Sequence, residues 1–189
     1  MLRIEALQAI YSELEDRIVV TIMGAVAAEL YSLGHRTNFF YLEHAMGLAS
    51  SMGLGIALSM PEHQVIVLDG DGSLLMNLGT LTTMARYKPA NLLHIVFDNE
   101  SLLSVGGFPT ATSSGTDLAG IARSSGVPSV KEANTIQSFQ ESVIEALKGK
   151  TLTTIVSKVE AISPKSFHID VTLLENRFQF WRRLQVMQK

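Results

Sequence analysis

Two apolar runs with alike endings constrain this chain more than any other feature of it. Val65-Ile66-Val67-Leu68 is uncharged and β-branched, and it stops at Asp69-Gly70-Asp71-Gly72-Ser73, where a helical pattern begins at once. Leu92 to Phe97 is a second such run, and it stops at Asp98-Asn99. Between Gly72 and Asp98 lie 25 residues, Ser73 to Phe97. Apolar runs without alternation suit strands buried on both faces, which are parallel strands covered by helices. Strand, glycine turn, helix, strand is a βαβ unit, whose crossover is right-handed and brings both polar ends to one edge of the sheet. Ligands of such sheets sit beyond the carboxyl ends of the strands. Val65 to Asn99 is therefore the expected active centre.

The flanking sequence extends the same alternation. Arg3 to Leu14 places Ile4, Leu7, Ile10, Tyr11 and Leu14 on one face of a helix. Arg17 to Ile22 reads as a buried strand, Ala25 to Ser32 as a helix closed by Gly34, and Asn38 to Leu42 as a short strand. Ala45 to Met60 is an uncharged stretch of 16 residues rich in Gly, Ala and Ser. A bilayer span needs about 20 apolar residues, so this stretch is expected as a small-residue helix packed close to the sheet and closed by Pro61. A single helix is expected from Leu74 to Tyr87. Glu100 to Ser114 has no period and contains Gly106-Gly107, Pro109 and several hydroxyls, the marks of a long functional loop. Asp117 caps a helix over 118–125, a short strand follows at Ser129 to Lys131, Thr135 to Leu147 is helical, and Thr151 to Val159 is the last strand. The tail ends in an amphipathic helix, Leu173 to Gln188, with Phe178, Trp181 and Leu184 at helical spacing, expected as core or as a subunit contact. No repeat and no linker divides the chain. The expectation is one domain over residues 1–189 with an α/β fold: a doubly wound, mainly parallel six-stranded sheet with helices on both faces.

Composition narrows the function. A net charge of −3 makes neither nucleic acid nor a membrane surface an expected partner. The absence of cysteine removes disulfides, zinc ribbons and thiol nucleophiles, and suits a reducing cytoplasm. The N-terminal residues are amphipathic and carry charge early, unlike a signal peptide.

Three chemistries compete for Asp69 to Ser73. As a calcium loop the segment would need a bidentate Glu at its twelfth position, where Thr80 stands. As a haloacid-dehalogenase-like phosphohydrolase it would use Asp69 as nucleophile and Asp71 as acid/base, but the later acidic pair that would hold Mg²⁺ is missing. The third is a diphosphate site. Gly70-Asp71-Gly72, then 25 residues, then Asp98-Asn99 resembles the fingerprint of thiamine-diphosphate-dependent enzymes.

The resemblance runs through NFFYLEHAMGLASSMGLGIAL at 38–58, GDGSLLMNLGTL at 70–81, SVGGFPT at 104–110 and AAELY at 27–31. By these fragments the chain is similar to the cofactor-diphosphate-binding domain of thiamine-dependent 2-oxo acid decarboxylases, in particular the β subunit of sulfopyruvate decarboxylase and the related half of phosphonopyruvate decarboxylase. The resemblance implies thiamine diphosphate and Mg²⁺ as cofactors. It implies metal ligands in the Asp71 carboxylate, the Asn99 side-chain oxygen and the Ser101 carbonyl. Gly70, Gly72 and Ser73 would meet the diphosphate, as would the turn after the first strand at Gly24 and Ala25. Met46 would support the bent cofactor, and the His44 carbonyl would accept from its amino group. The His44 imidazole is a candidate to reach substrate as a proton carrier. Asn77, Thr80 and the remaining histidines are expected on helix surfaces or in structural roles.

The same resemblance implies an incomplete site. The glutamate that activates the cofactor lies in such families on a separate pyrimidine-binding domain. A partner chain carrying it is expected, in an α2β2 or larger assembly that includes self-association, acting on a small 2-oxo acid. Three departures stand out. By the resemblance, Gly is expected where His44 stands, Gly where Glu100 stands, and an aromatic or His followed by Gly where Leu102-Leu103 stand. The alternatives still open are a non-catalytic cofactor-domain protein and the Asp69/Asp71 phosphohydrolase.

Overall fold

The computed structural model describes residues 1–188. Six strands form one parallel sheet: β1 (Ile18–Thr21), β2 (Phe39–Tyr41), β3 (Val65–Gly70), β4 (Leu92–Asp98), β7 (Ser129–Ala133) and β8 (Thr153–Lys158). Their order is β2-β1-β3-β4-β8-β7. The chain runs outward from β1 in one direction to β2 and in the other to β3. The reversal opens a crevice at the carboxyl ends of β1 and β3, where such folds bind ligands.

Helices cover both faces. In the β3–β4 register Val67 pairs with His94, so both side chains lie on one face. Val67 packs under Gly53 of α3 (Ala49–Ser59); a Cβ on that glycine would stand 2.1 Å from Val67 Cγ2. Phe97, three residues beyond His94, points the other way and meets Phe139 of α7 (Ile136–Lys148) at 5.7 Å between ring centroids. α7 shares its side with α1 (Arg3–Ile10), which also packs on α2 (Ala25–Ser32). Most of the core between these layers is aliphatic, with Leu7, Ile18, Ile66, Leu68 and Leu81 fully enclosed beside Phe39, Phe97 and Phe139. The caps follow the sequence: Asp117 accepts from Gly120 N at 2.8 Å to start α6 (Leu118–Ser124), and Thr135 forms a capping box with Ser138 at the start of α7.

Three local expectations are corrected. The helix expected over 74–87 is two helices, α4 (Asp71–Met76) and α5 (Gly79–Tyr87). The break falls at Asn77, whose side-chain amide leaves the helix to donate to Gly47 O at 2.9 Å and Ser51 Oγ at 3.2 Å. The 100–114 segment is not wholly irregular. It holds a two-stranded antiparallel hairpin, β5 (Ser101–Leu102) and β6 (Phe108–Pro109), turned through Gly106 and Gly107 at φ 108° and 74°. Finally, of the residues at helical spacing on α8 (Leu173–Met187), only Leu184 packs on the core. Phe178 and Trp181 are exposed, while Phe180 and Asn176 are buried. Asn176 explains the buried face: its amide donates to Phe39 O at 2.8 Å and its oxygen accepts from Tyr41 N at 3.0 Å, so the side chain covers the open edge of β2. Among the described residues no helix is long and apolar enough to cross a membrane.

Candidate functional site

The carboxyl edge of the sheet collects the turns that the sequence singled out. β1 delivers Met23, Gly24 and Ala25; β3 delivers Gly70 to Ser73; β4 delivers Asp98 and Asn99, after which the β5–β6 hairpin folds back over the edge. Ala25, Met46, Gly70, Asp71, Gly72, Ser73, Asn99 and Ser101 line one narrow cleft of about 70 Å³. Gly24 and His44 line a wider cavity of about 320 Å³, which shares Met23, Leu103 and Ser104 with the cleft. All ten expected site residues thus lie on two adjoining hollows. The cleft has the size of a cation with a few oxygens around it. The wider cavity reaches the lower end of the range that organic ligands occupy.

Asp71 is the buried carboxylate of the cleft, 2% exposed. Its Oδ2 accepts from Thr110 Oγ1 at 2.5 Å, and Thr112 Oγ1 stands 3.2 Å from the same oxygen. Burial holds the Asp71 carboxyl above the usual carboxylate range; the Thr110 hydroxyl works against that rise and the nearby Asp98 carboxylate adds to it. Asp98 is equally buried and is held from both sides, by Thr112 Oγ1 at 2.7 Å and by Lys158 Nζ at 2.8 Å. Lys158 also reaches Glu100 at 2.6 Å. Asn99 Oδ1 accepts from Ser101 N at 3.1 Å, which fixes the amide at the mouth of the cleft.

One carboxylate, one amide oxygen and a backbone carbonyl on a single cleft form a set of hard oxygen donors, the kind Mg²⁺ takes when phosphate oxygens complete its shell. Among the described residues no group of three or more His, Cys, Asp or Glu could hold a metal. A cation here would depend on a ligand for its remaining partners. The donor set fits a diphosphate-bound cation by its chemistry.

The second wall is built from small residues and hydrogen bonds. Ser73 Oγ accepts from Gly47 N at 3.1 Å, and Thr80 Oγ1 lies 3.0 Å from Ser51 Oγ. Asn77 and Thr80 are therefore not surface residues of a helix; they fasten α5 to the segment that carries Met46. His44 and Glu100 take left-handed backbone at φ 55° and 59°. That conformation is free for glycine and strained for other residues. Both residues stand on loops beside the cleft, and each holds its side chain there at a backbone cost.

Asp69 lies outside the cleft. It is wholly buried, accepts from Gly70 N at 2.9 Å, and stands 3.3 Å from Nε2 of His94, also wholly buried. A nucleophile must be reached by its substrate, and this carboxylate is sealed under the turn, which removes the basis of the phosphohydrolase reading. The pairing with His94 crosses two adjacent strands and has no signature in sequence. The residues that sequence reasoning missed are Thr110, Thr112 and Lys158. Their only signal was the run of hydroxyls in the 100–114 segment and a lysine at the end of the last strand.

Comparison with known proteins shows the family. The family of thiamine pyrophosphate enzymes, C-terminal TPP binding domain, matches residues 20–157. The chain is 34% identical over 171 residues to the sulfopyruvate decarboxylase subunit beta of Methanocaldococcus jannaschii, covering 90% of each chain. It is 41% identical over 146 residues to the phosphonopyruvate decarboxylase of Streptomyces viridochromogenes, covering 77% of this chain and 36% of that protein. Among solved structures, benzoylformate decarboxylase from Polynucleobacter necessarius superposes with a TM-score of 0.67 at 19% identity, over 86% of this chain and 33% of that one. The chain therefore spans nearly all of that β subunit but about a third of the phosphonopyruvate decarboxylase and benzoylformate decarboxylase chains it matches. By the family match across the sheet and its carboxyl edge, the chain belongs to the thiamine pyrophosphate enzymes as a C-terminal TPP-binding domain.

Proposed function

We propose that residues 1–189 form a single diphosphate-and-cation-binding domain of a thiamine-diphosphate-dependent decarboxylase of a small 2-oxo acid, sulfopyruvate or phosphonopyruvate. The observation that carries this reading is the convergence of Asp71, Asn99, Ser101 and Met46 on one cleft at the switch point of the sheet. Asp71, the Asn99 amide oxygen and the Ser101 carbonyl would hold Mg²⁺. Gly70, Gly72 and Ser73, with Gly24 and Ala25 opposite, would let backbone approach the diphosphate. Met46 would brace the cofactor, and His44, on the adjoining cavity, would contact its amino group and carry a proton to or from substrate. When bound, thiamine diphosphate supplies the electron sink that decarboxylation needs. The chain's own residues bind, orient and shield it.

A partner chain carries the pyrimidine-binding half and the activating glutamate, in a hetero-oligomer of the α2β2 kind; the cytoplasm is the compartment we assign. Support for the partner comes from the relatives named as a subunit beta and from the hairpin over the cleft, which leaves Phe108 64% exposed and Val105 47% exposed. The test is to capture the partner on a tagged chain and follow CO₂ release from sulfopyruvate and phosphonopyruvate. The complex should turn over and the chain alone should not. Turnover by the chain alone at ordinary enzymatic rates, about 1–10³ s⁻¹, or a captured complex inert toward both acids, would overturn the proposal.

A further inference from the structure

We propose that Thr110 and Thr112 are positioning residues that aim the Asp71 carboxylate at the cation, and that Asp98 and Lys158 anchor them from the far side. The inference rests on the cofactor assignment above and adds residues outside the expected ligand set. Both threonines are buried, at 6% and 5% exposure; Thr110 follows the returning strand of the hairpin and caps the helical turn that holds Thr112. Their hydroxyls meet one oxygen of Asp71, Oδ2, at 2.5 and 3.2 Å. Among the described residues no side chain donates to Oδ1. The terminal torsion of an aspartate is soft and roughly two-fold, so an untied carboxylate would present either oxygen. Tying Oδ2 leaves Oδ1 as the oxygen offered to the cleft.

The geometry also ranks the two threonines. Thr112 has one hydroxyl proton and two carboxylates in reach. Asp98 Oδ1 is at 2.7 Å and Asp71 Oδ2 at 3.2 Å, so the proton goes to Asp98. Thr110, 2.8 Å from Thr112, is left as the direct partner of Asp71. Asp98 is fixed in turn by Lys158 Nζ at 2.8 Å. A line of contacts therefore runs from a half-exposed lysine at the end of β8 through Asp98, Thr112 and Thr110 to Asp71. It joins the ends of β8 and β4 to the turn after β3.

The experiment is calorimetric titration of the full chain with thiamine diphosphate, in saturating Mg²⁺ and in chelator, for wild type, Thr110→Val, Thr110→Ser and Thr112→Val. Outer partners of metal ligands change affinity by about 10–100-fold, and Thr110→Val should weaken the Mg²⁺-dependent binding by that factor. Its binding in chelator should match wild type, Thr110→Ser should stay near wild type, and Thr112→Val should fall between them. Equal Mg²⁺-dependent binding in wild type and Thr110→Val overturns the inference while leaving the cofactor assignment intact. So does an equal loss with and without Mg²⁺, which marks a merely structural role. If Thr110→Val does not fold, the same comparison of Thr112→Val with wild type decides. A wild type that binds no thiamine diphosphate in either condition overturns the cofactor assignment, and the inference with it.

Discussion

One helix carries its own control for how closely it must approach the sheet. α3 contains Gly53 and Gly55, and replacing either by alanine adds the same methyl group. Gly55 is exposed, and a Cβ there meets nothing within 4 Å. Gly53 is buried, and a Cβ there stands 2.1 Å from Val67 Cγ2 and 3.8 Å from Leu92 Cδ1. Optimal carbon–carbon contact is about 3.5–4.0 Å, so the first contact overlaps by roughly 1.5 Å. Val67 cannot swing aside, because it is β-branched and lies wholly buried in β3. Helix propensity alone favours alanine over glycine by about 0.8–1.0 kcal/mol at either position. At Gly55 that gain is unopposed, and the melting temperature should rise by about 2–4 °C. At Gly53 overpacking costs about 1–3 kcal/mol, at the upper end for so rigid a neighbour. The net loss is about 2 kcal/mol, or roughly 4–8 °C. Differential scanning calorimetry or urea unfolding of the two single variants reads both signs directly. Val67→Ala added to Gly53→Ala should recover at least about 1 kcal/mol of the loss as coupling, since it removes the overlapping methyl. A Gly53→Ala protein as stable as Gly55→Ala would refute the close approach of α3 to β3, and with it the platform under the Asp69–Asp71 turn.

Three further outcomes follow from the site. Asp71 binds its proton more tightly folded than unfolded, so its contribution to stability is present below the unfolded carboxylate pKa and is lost as pH rises through its folded value. Metal-free Asp71→Asn should therefore unfold at higher urea than wild type at about pH 7, with the gap closing toward about pH 4; an unchanging gap would contradict the burial of that charge. Glu100 spends left-handed strain for an exposed contact with Lys158, so Glu100→Gly should be more stable than Glu100→Ala by about 1 kcal/mol in urea unfolding, and equality would count against the strain. Asn176→Ala removes two hydrogen bonds from the edge of β2 and should cost about 2–4 kcal/mol and increase light scattering on mild heating, whereas a silent substitution would show that the edge needs no cover.

Much of the fold was legible because the strands of a doubly wound sheet are marked by composition alone. The largely apolar runs and the short segment after Pro128 became the six parallel strands, and the turns after β1, β3 and β4 came to one edge as the βαβ rule requires. What stayed hidden depends on single side chains acting across the fold. Asn77 breaks a pattern that periodicity reads as continuous, because its amide finds Gly47 and Ser51 on another segment. Asn176 rotates α8 by binding an edge strand more than a hundred residues away in sequence, overriding the apolar stripe of Phe178 and Trp181. His94 gives no sign in sequence that it will lie against Asp69, since two strands must first pair in register. The Thr110–Asp71–Thr112 contacts require the hairpin to close over the cleft, and a loop's closure is set by tertiary packing rather than by its own residues.

The central claim is that Asp71 holds a divalent cation through which the cleft takes the diphosphate of thiamine diphosphate. Isothermal titration of wild type and Asp71→Ala with thiamine diphosphate, in Mg²⁺ and in chelator, addresses it most directly. Wild type should bind in Mg²⁺ and lose most of that binding in chelator, and Asp71→Ala should show the same loss with Mg²⁺ restored. Binding that ignores Mg²⁺, or that survives Asp71→Ala unchanged, would contradict it.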